Sequence, residues 1–293
     1  MTTRLPPAAW FPAGNPVIAA RHVTLQDGLS LRVLEAGPPN GPPVVMIHGW
    51  AVSAYLWRHN IVPLAAAGFR VYAPDLPGHG LSGAPTERGA FTLARSTDHL
   101  SMLLDAIGVA RAPLVAQSMG ARIALELARR HADRVDQLVL FGPVGFGEVP
   151  PQRAFVPLLP SLPGALPSLL IPRRLVEVMK RRVHGRLNDG GFTDRDVDEY
   201  WAPSQFPDII RAQLQMLREF DWKMLDPAVL ASFSTKTTVV FGTHDRTVRT
   251  AHAARLASSM PGGRIEWVQG GGHVVMEEVP EQVNSLLLRL LGA

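Results

Sequence analysis

Residues 112–128 read APLVAQSMGARIALELA, a short apolar run that passes directly into an amphipathic helical pattern with Ser118 at the junction. No conventional loop intervenes. Such a turn forces strained backbone angles on its central residue and brings strand and helix so close that the positions two before and two after it must be small. Ala116 and Gly120 meet that demand. A serine here is thrust out at the carboxyl end of a sheet, beside a helix N-terminus whose free amides favour developing negative charge. An ordinary N-cap serine is the competing reading, and the small flanking residues weigh against it.

Outward from this junction, short β-branched and apolar runs alternate with helical patterns. Segments 21–26 and 29–35 alternate like an antiparallel pair around Asp27-Gly28, and 43–47, 69–73, 113–116, 137–141, 237–241 and 264–268 read as buried parallel strands. Helical patterns cover 55–67, 93–107, 119–130, 248–259 and 280–291. This βαβ rhythm predicts an α/β fold, a mostly parallel eight-stranded sheet with helices on both faces. The rhythm fails between Phe141 and Thr237, where a proline-rich stretch leads into charged helical sequence. The expected organisation is therefore an N-terminal arm at 1–20, a core at 21–144 and 229–293, and an inserted helical cap at 145–228.

The segment AQSMGA at 116–121 resembles the nucleophile elbow of the α/β-hydrolase superfamily, with Ala116 in place of the first glycine of GxSxG. The resemblance spans the chain outside the arm and the cap. It implies that the loop His48-Gly49-Trp50 supplies one oxyanion-hole amide, that of Trp50, and that Met119 supplies the other. His48 reads as a loop-organising side chain, and Asp75-Leu76-Pro77-Gly78-His79-Gly80, similar to the family's DxxGxGxS turn, reads as structural. A serine needs a base, and of ten histidines His273 is the candidate, since it follows Gly270-Gly271-Gly272 on a loop after the last expected strand. His22, His59, His99, His131, His184 and His252 fall on strand or helix faces. The family's order of serine, acid, histidine points to Asp245 in VVFGTHDRTV as the residue that orients His273, with no competing carboxylate after LVLF.

The remaining sequence bounds the chemistry. With 293 residues, 46% hydrophobic and 18% charged, the chain can fill a large core. Having no cysteine, it has no disulfide, thiolate nucleophile or cysteine metal site, which leaves serine as the nucleophile to seek. No HExxH or carboxylate cluster suggests a metal, and HGW at the first βα turn is not GxGxxG, so no cofactor is expected. The net charge of +4 is mild. Six basic residues in 171–186 are answered by Asp189, Asp194, Asp196, Asp198 and Glu199, which reads as a solvated, salt-bridged face and not as a nucleic-acid site. Prolines at 6, 7, 12 and 16 interrupt any signal-peptide core; eight of the 26 lie between Pro143 and Pro172, and five of these interrupt the longest uncharged run, 154–172. A cytoplasmic protein without a membrane span is expected.

Residues 201–222 have near-helical apolar spacing and are expected to roof a pocket lined by Trp50, Gln117, Trp201, Phe206 and Val274. The resemblance implies hydrolysis of a carboxylic ester of a small, largely apolar substrate. A serine at position 118 argues against the relatives that attack alkyl carbon with aspartate, the haloalkane dehalogenases and epoxide hydrolases. Carbon–carbon hydrolysis is disfavoured by Gln117 and Val274, where such enzymes tend to carry asparagine and tryptophan. Perhydrolase or haloperoxidase, thioesterase and lactonase chemistry stay open, as does a lyase or a small-molecule receptor using the same pocket.

Overall fold

The computed structural model describes residues 6–146, 171–183, 193–248, 250 and 253–293. The strands are β1 Ala19–Thr24, β2 Ser30–Ala36, β3 Pro43–Ile47, β4 Arg70–Pro74, β5 Ala112–Gln117, β6 Val135–Phe141, β7 Lys236–Gly242 and β8 Arg264–Val268. They form one eight-stranded sheet in the order β1-β2-β4-β3-β5-β6-β7-β8. The β1–β2 and β2–β4 pairs are antiparallel and all others parallel. This is the α/β architecture expected from the alternating pattern.

The helices are α1 Ile61–Ala66, α2 Leu93–Ala106, α3 Ser118–Arg130, α4 Arg173–Val183, α5 Asp194–Trp201, α6 Pro207–Glu219, α7 Pro227–Ala231, α8 Ala253–Ser258, α9 Val275–Glu278 and α10 Pro280–Leu291. Both faces of the sheet are buried, so the strands alternate between two apolar clusters. Val45, Ile47, Leu114, Ala116, Leu138 and Leu140 pack under α2, α3 and α8. Val44, Met46, Val115, Val139 and Phe141 pack under α1 and α10.

One expected helix is divided. The pattern at 55–67 becomes a 3-10 turn at Ala54–Trp57 followed by α1. Pro63 is the reason: it has no N–H to give and is tolerated only in a first turn, so the helix starts at Ile61. The helix expected over 248–259 is seen as α8. The proline-rich opening of the expected cap, 147–170, lies outside the described residues.

The chain order reverses around β3, which lies between β4 and β5, and the crevice at the carboxyl ends of such strands is where α/β sheets place ligands. Register carries this further. Ile47 pairs with Ala116 and Gln117 with Phe141, so the residues after β3, β5 and β6 emerge side by side. Helices α4, α5 and α6, which lie between β6 and β7 in the chain, contribute side chains above this crevice. The arm is tied down as well: the Phe11 amide donates to Glu199 at 2.8 Å, Arg32 donates to the Phe11 carbonyl at 3.0 Å, and Trp10 is buried.

Candidate active site

Ser118 follows Gln117 of β5 with no residue between strand and helix, and its φ is +52°. That region is costly for any residue with a side chain, so the surroundings must hold it there. They do so by closeness. A Cβ on Gly120 would overlap the His48 carbonyl oxygen and lie 2.8 Å from Ile47 Cγ2, and one on Gly49 would overlap Gln117 Oε1 and lie 3.1 Å from Ser118 Cβ. Glycine at 49 and 120 is therefore what lets the loop after β3 lie against the start of α3. The Gln117 side chain makes no capping bond to the helix and donates instead to the His273 carbonyl at 3.4 Å. First-turn amides such as that of Met119 have no intrahelical acceptor.

His273 and Asp245 reach the same place from two loops that are bonded to each other. The His244 amide donates to the Gly271 carbonyl at 2.8 Å, and the Gly270 amide to Thr243 Oγ1 at 3.0 Å. Gly242 admits this pairing, because a Cβ there would overlap the Gly271 and Gly272 carbonyls. His273 Nδ1 lies 2.8 Å from Asp245 Oδ2. Burial opposes ionisation of Asp245, yet the imidazole beside it and the Thr247 and Val248 amides on Oδ1 hold its carboxyl below the usual range. An ionised Asp245 accepts a hydrogen bond from Nδ1–H, which fixes the tautomer and leaves the Nε2 lone pair as a base. Glu278 then brackets His273, accepting from the amides of Gly272 at 2.6 Å and Val274 at 3.2 Å.

The loop after β3 rests on two buried histidines and a buried carboxylate. His48 donates from Nδ1 to the Gly49 carbonyl at 2.7 Å and accepts the Leu76 amide at Nε2, 2.9 Å. His79 donates to the Pro77 carbonyl and accepts the Ala51 amide. Asp75 accepts from Arg32, Ala54 and Leu81. Burial pushes His48 down to about 4, and burial, with His48 alongside, pushes His79 down to about 3.

Ser118 and His273 share a cavity of about 370 Å³. Trp50, Gln117 and Val274 line it, as do Ile210, Leu214 and Leu217 of α6. Trp201 and Phe206 do not, contrary to the sequence expectation. Trp201 turns the other way, packing with Val197 and Tyr200 and donating to the Ile171 carbonyl at 3.0 Å. Phe206 caps α6 and meets Trp10 edge-on, 39% exposed. Helix patterning finds an apolar stripe but not its rotation about the axis.

The sequence missed the polar part of the wall. Lys180 of α4, expected on a solvated face, is part-buried over the Tyr200 ring, 4.0 Å from its centroid, and burial lowers its ammonium to about 8. Tyr200 donates to Glu277, which also pairs with Arg58; Arg58 reaches Asp196 at 2.9 Å. This network joins α5 to α9, the short helix that follows His273. Lys180 sits in a basic run with Arg173, Arg174 and Arg181, so nothing local distinguishes it. Among the described residues no cluster of three or more His, Asp or Glu could hold a metal, and no helix is long and apolar enough to cross a membrane.

A family described as alpha/beta hydrolase fold matches residues 42–280. Epoxide hydrolase A of Mycobacterium tuberculosis is 29% identical over 308 residues, covering 90% of this chain and 95% of that protein. The 2-hydroxy-6-oxo-6-phenylhexa-2,4-dienoate hydrolase of Burkholderia cepacia is 30% identical over 291 residues, covering 93% and 96%. The structure of carboxylesterase CesB (YbfK) from Bacillus subtilis superposes with a TM-score of 0.79 at 22% identity, over 95% of this chain and 93% of that one.

Proposed function

The chain belongs to the α/β-hydrolase fold family, and from that membership we propose that it is a serine hydrolase that cleaves a carboxylic ester, or a related acyl bond, of a small and largely apolar substrate. One observation carries the reading: a hydroxyl held at φ +52° on the strand–helix junction shares a cavity with an imidazole whose Nδ1 is bonded to a buried carboxylate. His273 Nε2 takes the Ser118 proton as Oγ adds to the acyl carbon. The Trp50 and Met119 amides stabilise the resulting oxyanion. The bond to the alcohol breaks as that alcohol takes the proton from His273, leaving an acyl-enzyme. Water then gives a proton to the same nitrogen, attacks the acyl carbon, and expels Ser118 with its proton restored. Residues 145–228 act as the cap, set on a core of 21–144 and 229–293, and α6 supplies the apolar roof that selects the substrate.

Position 118 bears a hydroxyl where attack on an alkyl carbon through an ester intermediate would need a carboxylate, so epoxide or haloalkane opening is disfavoured. Carbon–carbon hydrolysis is the second reading, favoured by the similarity to the Burkholderia cepacia enzyme. The test is fluorophosphonate labelling with mass mapping, followed by p-nitrophenyl esters of increasing acyl length. Label on Ser118 and turnover lost in Ser118→Ala are expected, and turnover at the wild-type rate in that variant overturns the reading. Ser118-dependent cleavage of a vinylogous 1,5-diketone with no ester turnover would favour the second.

A further inference from the structure

Among the described residues, two that are not glycine have positive φ: Ser118 and Ala51, at +57°. The elbow accounts for the first. Ala51 is the residue after Trp50, on a loop whose Cβ-bearing backbone gains nothing locally from that conformation. Three consecutive peptide groups explain how it persists, each held by a different side chain. The Gly49–Trp50 peptide is held at its carbonyl by His48 Nδ1, 2.7 Å. The Trp50–Ala51 peptide is held at its amide by His79 Nε2, 3.2 Å. The Ala51–Val52 peptide is held at its carbonyl by Lys180 Nζ, 3.1 Å.

The two histidines come from the core, but Lys180 comes from α4, 129 residues away in sequence. Its side chain is part-buried in the cavity wall, where burial lowers the basicity of the ammonium and an aliphatic side chain of the same length would fill the space without that cost. A long side chain ending in an N–H donor matches what the Ala51 carbonyl needs.

We propose that Lys180 is a positioning residue for the oxyanion hole, holding the Ala51 carbonyl from the cap side so that the Trp50 N–H keeps its aim at the developing oxyanion. The Trp50 N–H itself belongs to the peptide that His48 holds; Lys180 acts on the far side of the strained Ala51, so that the loop cannot relax from φ +57° and carry the Trp50 peptide with it. Part of the oxyanion hole then depends on α4 being seated, which couples substrate enclosure to transition-state stabilisation. This rests on the reading of Ser118 as nucleophile and Trp50 as oxyanion donor.

The test compares wild type with Lys180→Met and Lys180→Arg, using p-nitrophenyl butyrate as substrate and an alkyl trifluoromethyl ketone as mimic of the tetrahedral adduct. Losing an oxyanion donor outright costs about 10²- to 10³-fold in kcat, and misplacing one costs less. For Lys180→Met we expect kcat to fall by about 10- to 100-fold with KM within about twofold, and the inhibition constant of the ketone to rise by the same factor as kcat falls. Arginine, which keeps an N–H donor, restores most of both. A change in KM alone, with kcat and ketone affinity as in wild type, overturns the proposal and makes Lys180 a wall residue. If methionine prevents folding, as thermal melting will reveal, Lys180→Gln is judged by the same ratio. A wild-type protein that takes no fluorophosphonate at Ser118 instead overturns the nucleophile reading beneath it.

Discussion

Gly142 stands against the imidazole of His273: a Cβ at this position would lie 2.9 Å from both Nδ1 and Cε1, and 3.1 Å from Asp245 Oδ2. It is the first residue after β6, with φ +49°. The end of β6 thus forms the floor on which the histidine and its carboxylate rest, and that floor has no room for a methyl group.

Gly142→Ala tests this. The methyl adds backbone strain and must displace the ring from Asp245, since neither a peptide nor an imidazole can fold out of its way. The expected outcome is a folded protein, with a Tm a few degrees lower, whose kcat on p-nitrophenyl esters falls by about 10²-fold. Wild-type turnover in a folded Gly142→Ala protein would contradict the geometry.

Strain at Ser118 predicts an opposition between stability and activity. Ser118→Gly relieves a left-handed conformation that costs about 1 kcal/mol, while Ser118→Ala keeps it. Both variants should be inactive, with the glycine variant melting above the alanine variant by about 2 to 4 °C, the difference isolating the backbone term. Equal melting temperatures by calorimetry would mean the turn stores no strain.

The buried histidines predict a pH dependence of stability. His48 and His79 each accept a backbone amide at Nε2, which requires the neutral ring, and burial holds them at about 4 and about 3 against 6.5 in the unfolded chain. Asp75 nearby favours protonation and Arg32 and Lys180 oppose it. Because the folded values are depressed, the unfolded chain binds more protons below pH 6.5, so this stability is present above 6.5 and is lost as pH falls toward 4 and 3. Urea unfolding at pH 5 should give a stability lower than at pH 7 by on the order of 3 kcal/mol. A flat profile over that interval would show that the rings are not held neutral.

Much of the architecture was legible because its causes are local. The eight strands follow from runs of β-branched and apolar residues, and the helical pattern at 55–67 gives way to α1 at Ile61 because Pro63 belongs in a first turn. Ser118, Asp245 and His273 could be singled out because glycine and alanine at 116, 120, 142, 242 and 270–272 mark where backbone must pass close to backbone, and chain order does the rest.

The sequence by itself determined the sheet, the turn on which Ser118 sits, and the loops that carry Asp245 and His273, since these depend on steric limits within a few residues. Tertiary structure alone decided which side chains face the cavity. Trp201 turns toward Ile171 while Lys180 turns inward to Ala51, because the rotation of a helix about its axis is set by whatever packs on its far side. Periodicity identifies a face, and only the assembled neighbours determine where that face points.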